Sequence, residues 1–179
     1  MDTFAASPEK STWAATGSRS AAKAAYRFFR NTDISREELL DSISKATVEK
    51  MKRADPEWIL AVQDTTSVGF GGRKSIKGMG YYCSTEQKGM LLHTCIAVTD
   101  QRIPLGILYQ ETNTRETRKD DSETKEQKKA RPIEEKESSR WLKTMNETQK
   151  RVPEGMRVST VCDREGEFRT FSFHTKEWL

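Results

Sequence analysis

The sequence contains few of the residues that build disulfide-bonded or zinc-binding proteins. Its 179 residues include two histidines and three cysteines, and no two cysteines have a C-x-x-C spacing. A disulfide framework and a zinc site are therefore not expected. The cysteines, Cys83, Cys95 and Cys162, are predicted to be buried thiols.

Long apolar runs and a strong charge of one sign are also absent. No run approaches the roughly 20 apolar residues of a membrane helix, and the opening MDTFAASPEK lacks the basic and apolar regions of a signal peptide. We therefore expect a cytoplasmic protein that does not contact a membrane. The 31 basic and 27 acidic residues leave a net charge of +4, which alone neither indicates nor excludes a nucleic-acid partner.

Two helices are predicted in the first 55 residues. Residues 1–19 are rich in Ala, Ser and Thr without periodicity, and we expect them to be disordered. Residues 20–55 are predicted to be helical, beginning with a short helix that ends near Asn31. Ser35 and Glu38 have the spacing of a capping box, so a second helix begins there and ends before Pro56. Its predicted buried stripe comprises Leu39, Leu40, Ile43, Ala46, Thr47 and Met51.

The rest of the chain, residues 56–179, predicts an α/β fold. Apolar runs of strand length occur at 58–62, 90–98, 103–109 and 158–162, and a helical pattern occurs at 134–150. Asp100 and Gln101 are predicted to form the turn between the second and third strands. The mixed-charge segment 111–137 has almost no apolar side chains, so we expect it to be an exposed insertion.

Aspartates follow the first and the fourth of these strands. Asp64 and Asp163 lie 99 residues apart, but the first and fourth strands of a ribonuclease-H-like sheet are neighbours, and ligands bind beyond the carboxyl ends of such strands. Carboxylate oxygens are the ligands that Mg²⁺ and Mn²⁺ prefer, and two such ions can activate a phosphodiester. We therefore predict both residues as catalytic metal ligands. Either aspartate taken alone is also a common cap or turn residue.

A basic stripe is predicted on the first helix. Lys23, Arg27 and Arg30 are separated by four and three residues, so they share one helix face and could bind DNA phosphates together. The alternative is an ordinary solvated basic face. The neighbouring aromatic residues Tyr26, Phe28 and Phe29 are predicted to pack in the core.

Four stretches resemble the bacterial DDE cut-and-paste transposases of the insertion-sequence-four group, which includes the transposon-five-like enzymes. Residues 17–31 resemble their end-binding N-terminal region, and residues 62–67 (VQDTTS) resemble the strand with the first catalytic aspartate. Residues 161–165 (VCDRE) resemble the second catalytic strand, and residues 135–142 the helix before it.

The resemblance implies a ribonuclease-H-like mixed sheet, preceded by a small helical DNA-binding region, in a bacterial, DNA-associated protein. It implies double-stranded DNA as partner, in the form of terminal inverted repeats on which full-length members dimerise, and Mg²⁺ or Mn²⁺ held by two aspartates and a glutamate. That glutamate belongs to a signature of Tyr, two residues, Arg, three residues and Glu, which the 179 residues do not contain. We therefore expect a truncated catalytic domain, a transposase fragment that is inactive alone.

Two other functions stay open. The chain could be a non-catalytic DNA-binding regulator or inhibitor of transposition. It could also be a metal-dependent nuclease that uses Asp64, Asp163 and Glu165. A strand-cleavage assay with Mn²⁺ separates the enzymes from the regulator.

Overall fold

The computed structural model describes residues 4, 6–70, 79–82, 88–114 and 139–163. Within them the chain divides into two compact units, Met1–Leu39 and Leu40–Leu179. Several predicted features lie outside the described residues: the charged segment from residue 115, the first residues of the helix predicted at 134–150, Cys83 and Glu165. No described helix is long and apolar enough to cross a membrane.

Two helices lie between residues 6 and 30 of the described chain, whereas the sequence predicted one. Helix α1 spans Thr12–Thr16 and helix α2 spans Arg19–Phe29. Helix α1 lies in the region predicted to be disordered. It forms because Ser11 caps its first turn and Gly17 ends it in the left-handed conformation, with φ of 66°. Composition alone does not reveal such short capped turns.

Helix α3 spans Arg36–Ala54 and begins as the sequence predicted. The Glu38 carboxylate accepts hydrogen bonds from the backbone N–H and the hydroxyl of Ser35, and the Glu38 backbone N–H donates back to that hydroxyl. This reciprocal arrangement is the predicted capping box. The helix ends just before Pro56, again as predicted.

The buried face of α3 agrees with the predicted stripe at Thr47 and Met51 and differs from it elsewhere. Ser44, Thr47 and Met51 are buried, whereas Leu39 and Ile43 are exposed. The reason is a glycine on the neighbouring strand: a Cβ at Gly106 would overlap the Thr47 hydroxyl, so the helix packs closely along the Thr47 side. Apolar periodicity does not predict such a small-residue contact.

The described part of the second unit contains a five-stranded mixed sheet. Its strands are β1 (Ile59–Gly69), β2 (Gly80–Tyr81), β3 (Lys88–Thr99), β4 (Pro104–Asn113) and β5 (Val158–Val161). Strand β3 is antiparallel to β1, β2 and β4, and β5 is parallel to β1. The adjacency of the first and fourth predicted strands is therefore confirmed, as is the α/β class.

One face of the sheet packs against helices. Alternate β1 residues Ile59, Ala61 and Gln63 are buried, as period-two alternation requires. Helix α4, Ser139–Arg151, contributes buried Trp141, Thr144 and Thr148. The apolar cluster comprises Met51, Ile59, Ala61, Cys95, Ala97, Leu105 and Leu108. Cys95 is buried as predicted, and burial raises the pKa of its thiol to about 11, whereas Cys162 is only half-buried.

Two predicted strand ends are wrong. Strand β1 continues seven residues beyond Val62, because β3 pairs with it as far as Gly69. Strand β4 continues to Asn113, so residues 111–113 belong to the sheet and not to an exposed insertion. In both cases a neighbouring strand supplies hydrogen bonds to a polar segment, which local apolarity does not predict. The turn at Asp100 and Gln101 is confirmed, since Thr99 and Ile103 close it with a backbone hydrogen bond of 2.9 Å.

Candidate metal centre and nucleic-acid interface

The two predicted metal ligands lie on neighbouring parallel strands. The ladder between β1 and β5 runs from Ile59 opposite Val158 to Val62 opposite Val161. Asp64 and Asp163 each lie two residues beyond this last pair, and both are exposed. Asp64 lies inside β1, opposite Thr94 of β3, and not after the end of the strand as the sequence predicted. The parallel register thus brings the two aspartates to the same end of the β1–β5 ladder.

The pKa of the buried His93 imidazole is influenced by the charges of both carboxylates. Burial lowers the pKa of His93 to about 4, and the charge of Arg140 adds to this lowering. Glu111, Asp64 and Asp163 oppose it, each through its negative charge. The negative charges of both aspartates therefore act on the same imidazole. Within the described parts of the chain, no three His, Cys, Asp or Glu side chains are grouped closely enough to hold a metal ion.

Gln63, Thr65 and His93 form a row of hydrogen-bonded polar side chains on the helix-covered face of the sheet. Asp64 lies between Gln63 and Thr65 in β1. Nδ1 of His93 lies 2.7 Å from the Thr65 hydroxyl, and Nε2 lies 3.2 Å from Oε1 of Gln63. With the Gln63 carbonyl oxygen as acceptor, Nε2 carries the proton and Nδ1 accepts from Thr65. Sequence reasoning did not identify Gln63 and Thr65 as the partners of His93. Period-two alternation would have found them, had the length of β1 been known.

An ion pair between buried Glu111 and exposed Lys143 continues this row across the sheet. Glu111 lies opposite His93 on β4, and its carboxylate is 2.6 Å from the Nζ atom of Lys143 on α4. Asn113 and Tyr109 also donate hydrogen bonds to Glu111. The hydrogen bond to Glu111 raises the pKa of Lys143. Sequence reasoning missed Glu111 because it assigned the residue to the charged insertion.

The predicted basic stripe is accessible. Lys23 and Arg27 lie on α2, Arg30 is the residue that caps its C-terminus, and all three are exposed. The packing prediction for the aromatic residues is wrong in part: Tyr26 and Phe29 are exposed, and Phe28 is half-buried. Helix α2 buries only Ala22, so its inward face is too small to cover them. Phe29 instead makes edge-on ring contacts with Phe4 and Phe28.

A comparison with known families bears on this N-terminal region. Residues 1–34 match the family described as transposase DNA-binding. The matched segment contains α1, α2 and all three residues of the basic stripe, and it ends just before the capping box of α3. It also includes residues 1–19, which lie outside the helical region predicted at 20–55. Over these residues the chain is similar to transposases, and the match supports a transposase-related protein that has DNA as a partner.

Proposed function

We propose that this chain belongs to a DDE cut-and-paste transposase of the insertion-sequence-four group. Its N-terminal residues bind the terminal inverted repeats of a mobile element, and its ribonuclease-H-like sheet supplies the first two carboxylates of the metal centre. The single observation that carries this proposal is the parallel pairing of β1 with β5. This pairing brings Asp64 and Asp163 to the same end of the β1–β5 ladder. The first 34 residues of the chain match a transposase DNA-binding family.

The donor set suits Mg²⁺ or Mn²⁺. Two exposed carboxylates can exchange water for a hard cation at small desolvation cost, whereas buried ones would first have to be ionised in a low dielectric. By the resemblance, Asp64 and Asp163 would both hold the cation. Bound Mg²⁺ supplies Lewis-acid stabilisation of the charge that develops on phosphate oxygens. The protein's own contribution is to fix the two carboxylates on adjacent strands.

The third carboxylate of the family has no counterpart by motif in the 179 residues. We therefore expect these 179 residues alone to bind DNA and metal without cutting or joining DNA. A site with two of three carboxylates holds its cation less firmly, and the attacking oxygen loses its orientation. Joining of a labelled DNA end to a plasmid by the purified chain, with loss of product in Asp64→Ala, would contradict this expectation.

Metal binding is tested by thermal unfolding of the whole chain with increasing Mn²⁺. A cation that binds only the folded state stabilises it by about 2.7 kcal/mol at a hundredfold excess over Kd. We expect a rise in melting temperature for the natural chain and none for Asp64→Ala or Asp163→Ala. Glu154→Gln is the matched control, because Glu154 is an exposed carboxylate on the connection that leads into the other end of β5. An equal rise in all four proteins would refute the site.

A non-catalytic DNA-binding regulator of transposition is the second candidate. It is favoured by the family match, which covers only the DNA-binding residues 1–34. This function requires DNA binding and no response to Mn²⁺. Duplex binding by a chain whose melting temperature is the same with and without Mn²⁺ would therefore favour the regulator over the transposase.

A further inference from the structure

We propose that His93 is a positioning residue for Asp64: one imidazole binds the two side chains that flank Asp64 along β1, and so fixes the carboxylate for metal binding. The inference rests on the proposed function, because it concerns a ligand of the proposed metal centre. It assigns His93 a role in metal affinity, in addition to its packing.

The two hydrogen bonds bracket Asp64 in the chain. His93 Nδ1 accepts from the hydroxyl of Thr65, its direct partner across the β1–β3 ladder, and Nε2–H donates to the side chain of Gln63, its diagonal partner. Gln63 is buried, Asp64 is exposed and Thr65 is half-buried. The carboxylate of Asp64 therefore projects from the face opposite the imidazole. The side chains of its neighbours, Gln63 and Thr65, are hydrogen-bonded to the imidazole on the other face.

The hydrogen bonds of His93 lie at the point where β1 is no longer paired with β5. Strand β5 pairs with β1 only as far as Val62. Gln63 is the first β1 residue beyond that ladder, and from there the only described strand paired with β1 is β3. A strand paired on one side twists and frays more readily than a central one. The side-chain bonds of His93 therefore strengthen the β1–β3 contact at the segment that carries Asp64.

The imidazole is itself held firmly. His93 has no exposed surface, and the indole of Trp141 on α4 lies edge-on to it with ring centroids 4.4 Å apart. Burial keeps the ring neutral at physiological pH, so it offers one donor and one acceptor, which matches its two partners. A fixed ring with both nitrogens bonded can hold β1 in one conformation and reduce the entropy that Asp64 loses on binding a cation.

The test uses the whole chain and Mn²⁺ alone, with affinity measured by titration calorimetry at a temperature where circular dichroism shows each variant folded. Thr65→Val removes the donor to His93 at constant shape, and Thr65→Ser restores the hydroxyl. Thr144→Val is the control, because Thr144 is also buried on this face and its hydroxyl has no hydrogen-bond partner among the described residues.

We expect Thr65→Val to weaken Mn²⁺ binding about tenfold, the lower end of the range for groups that orient metal ligands. Thr65→Ser and Thr144→Val should bind as the natural chain does. His93→Asn, whose side-chain oxygen can replace Nδ1 as acceptor, should keep more affinity than His93→Phe. This second pair does not depend on Thr65 and keeps the proposal testable if Thr65→Val does not fold.

Two contrary results have different meanings. If Mn²⁺ binding is lost in Asp64→Ala but unchanged in Thr65→Val and in His93→Phe, the positioning role is wrong and the proposed metal centre stands. If the natural chain and Asp64→Ala give the same titration, the proposed metal centre is wrong, and the positioning role is wrong with it.

Discussion

The buried imidazole of His93 links the stability of the second unit to pH. Its pKa is lowered to about 4 in the folded chain, against 6.5 for an ordinary histidine. Between these values the unfolded chain binds a proton that the folded chain does not, so the unfolding free energy falls as pH falls. This contribution is complete above about pH 6.5 and is lost progressively down to about pH 4.

Urea unfolding at pH 7 and pH 4.5 measures this dependence. We expect the natural chain to lose about 2 kcal/mol more than His93→Gln between the two pH values, from the size of the pKa change. Carboxylates titrate in both proteins, so the difference between them isolates the imidazole. An equal loss in the two proteins would show that folding does not lower the pKa of His93.

Replacement of Arg27 tests whether the basic stripe binds DNA phosphates. Each neutralised phosphate contributes about 0.9 to the slope of log affinity against log salt concentration. We expect Arg27→Ala to reduce that slope by about one in duplex binding to an element end. Lys52→Ala is the control, since Lys52 is exposed on α3, bonds to Glu49 and lies outside residues 1–34. The same slope for Arg27→Ala and the natural chain would remove Arg27 from the interface.

Close packing of α3 on β4 depends on the absence of a side chain at Gly106. Its φ is 147°, and an added Cβ would overlap the hydroxyl of Thr47. Gly106→Ala should therefore lower the unfolding free energy by about 1–3 kcal/mol, the usual cost of overpacking. Chemical denaturation measures this.

Gly155 provides the matched control for that substitution. It also has positive φ, at 81°, but an added Cβ would meet no atom within 4 Å. Gly155→Ala therefore reports backbone strain without the steric overlap. Equal losses of stability in the two variants would show that strain, and not helix packing, explains the glycine at position 106.

Residues that are close in sequence correctly predicted those element ends that depend only on such neighbours. The capping box at Ser35, the turn at Asp100 and the helix stop before Pro56 depend on neighbours in the chain, and all three are found. Sequence also predicted that β5 lies beside β1. Of the buried face of α3 it predicted Thr47 and Met51, but it did not predict the burial of Ser44 or the exposure of Leu39 and Ile43. It also missed the polar half of β1, which β3 supports.

The same distinction applies to the candidate site. Residue type and strand order were enough to nominate Asp64 and Asp163. Metal binding by their carboxylates stays a prediction. Gln63, Thr65 and Glu111 could not be nominated, because polar residues in a sequence are ordinarily exposed. Only pairing across three strands shows that these side chains are turned toward the helix-covered face.

The assignment of DNA binding and metal binding to different compact units predicts that the two properties are independent. We expect Asp64→Ala to bind duplex DNA as the natural chain does when metal is absent, and Arg27→Ala to bind Mn²⁺ unchanged. Effects of substitutions without shared partners usually add. Fluorescence anisotropy with DNA and calorimetry with Mn²⁺, applied to both variants and to the double variant, measure the coupling. A non-additive double variant would contradict the assignment.

The parallel ladder of β1 with β5 also determines when the candidate site forms during folding. It joins Ile59 to Val158, whereas the turn between β3 and β4 closes over a few residues. Distant pairings pay a larger loop-closure entropy and form late. We expect Val158→Ala, which truncates a β5 side chain that packs against the apolar cluster, to speed unfolding and leave the refolding rate unchanged in stopped-flow experiments. A slower refolding rate would contradict this order. A growing chain on the ribosome would then carry Asp64 in the sheet of β1, β3 and β4 before Asp163 has been synthesised. The nascent protein would therefore acquire its affinity for divalent cations only after β5 has left the ribosome and paired with β1.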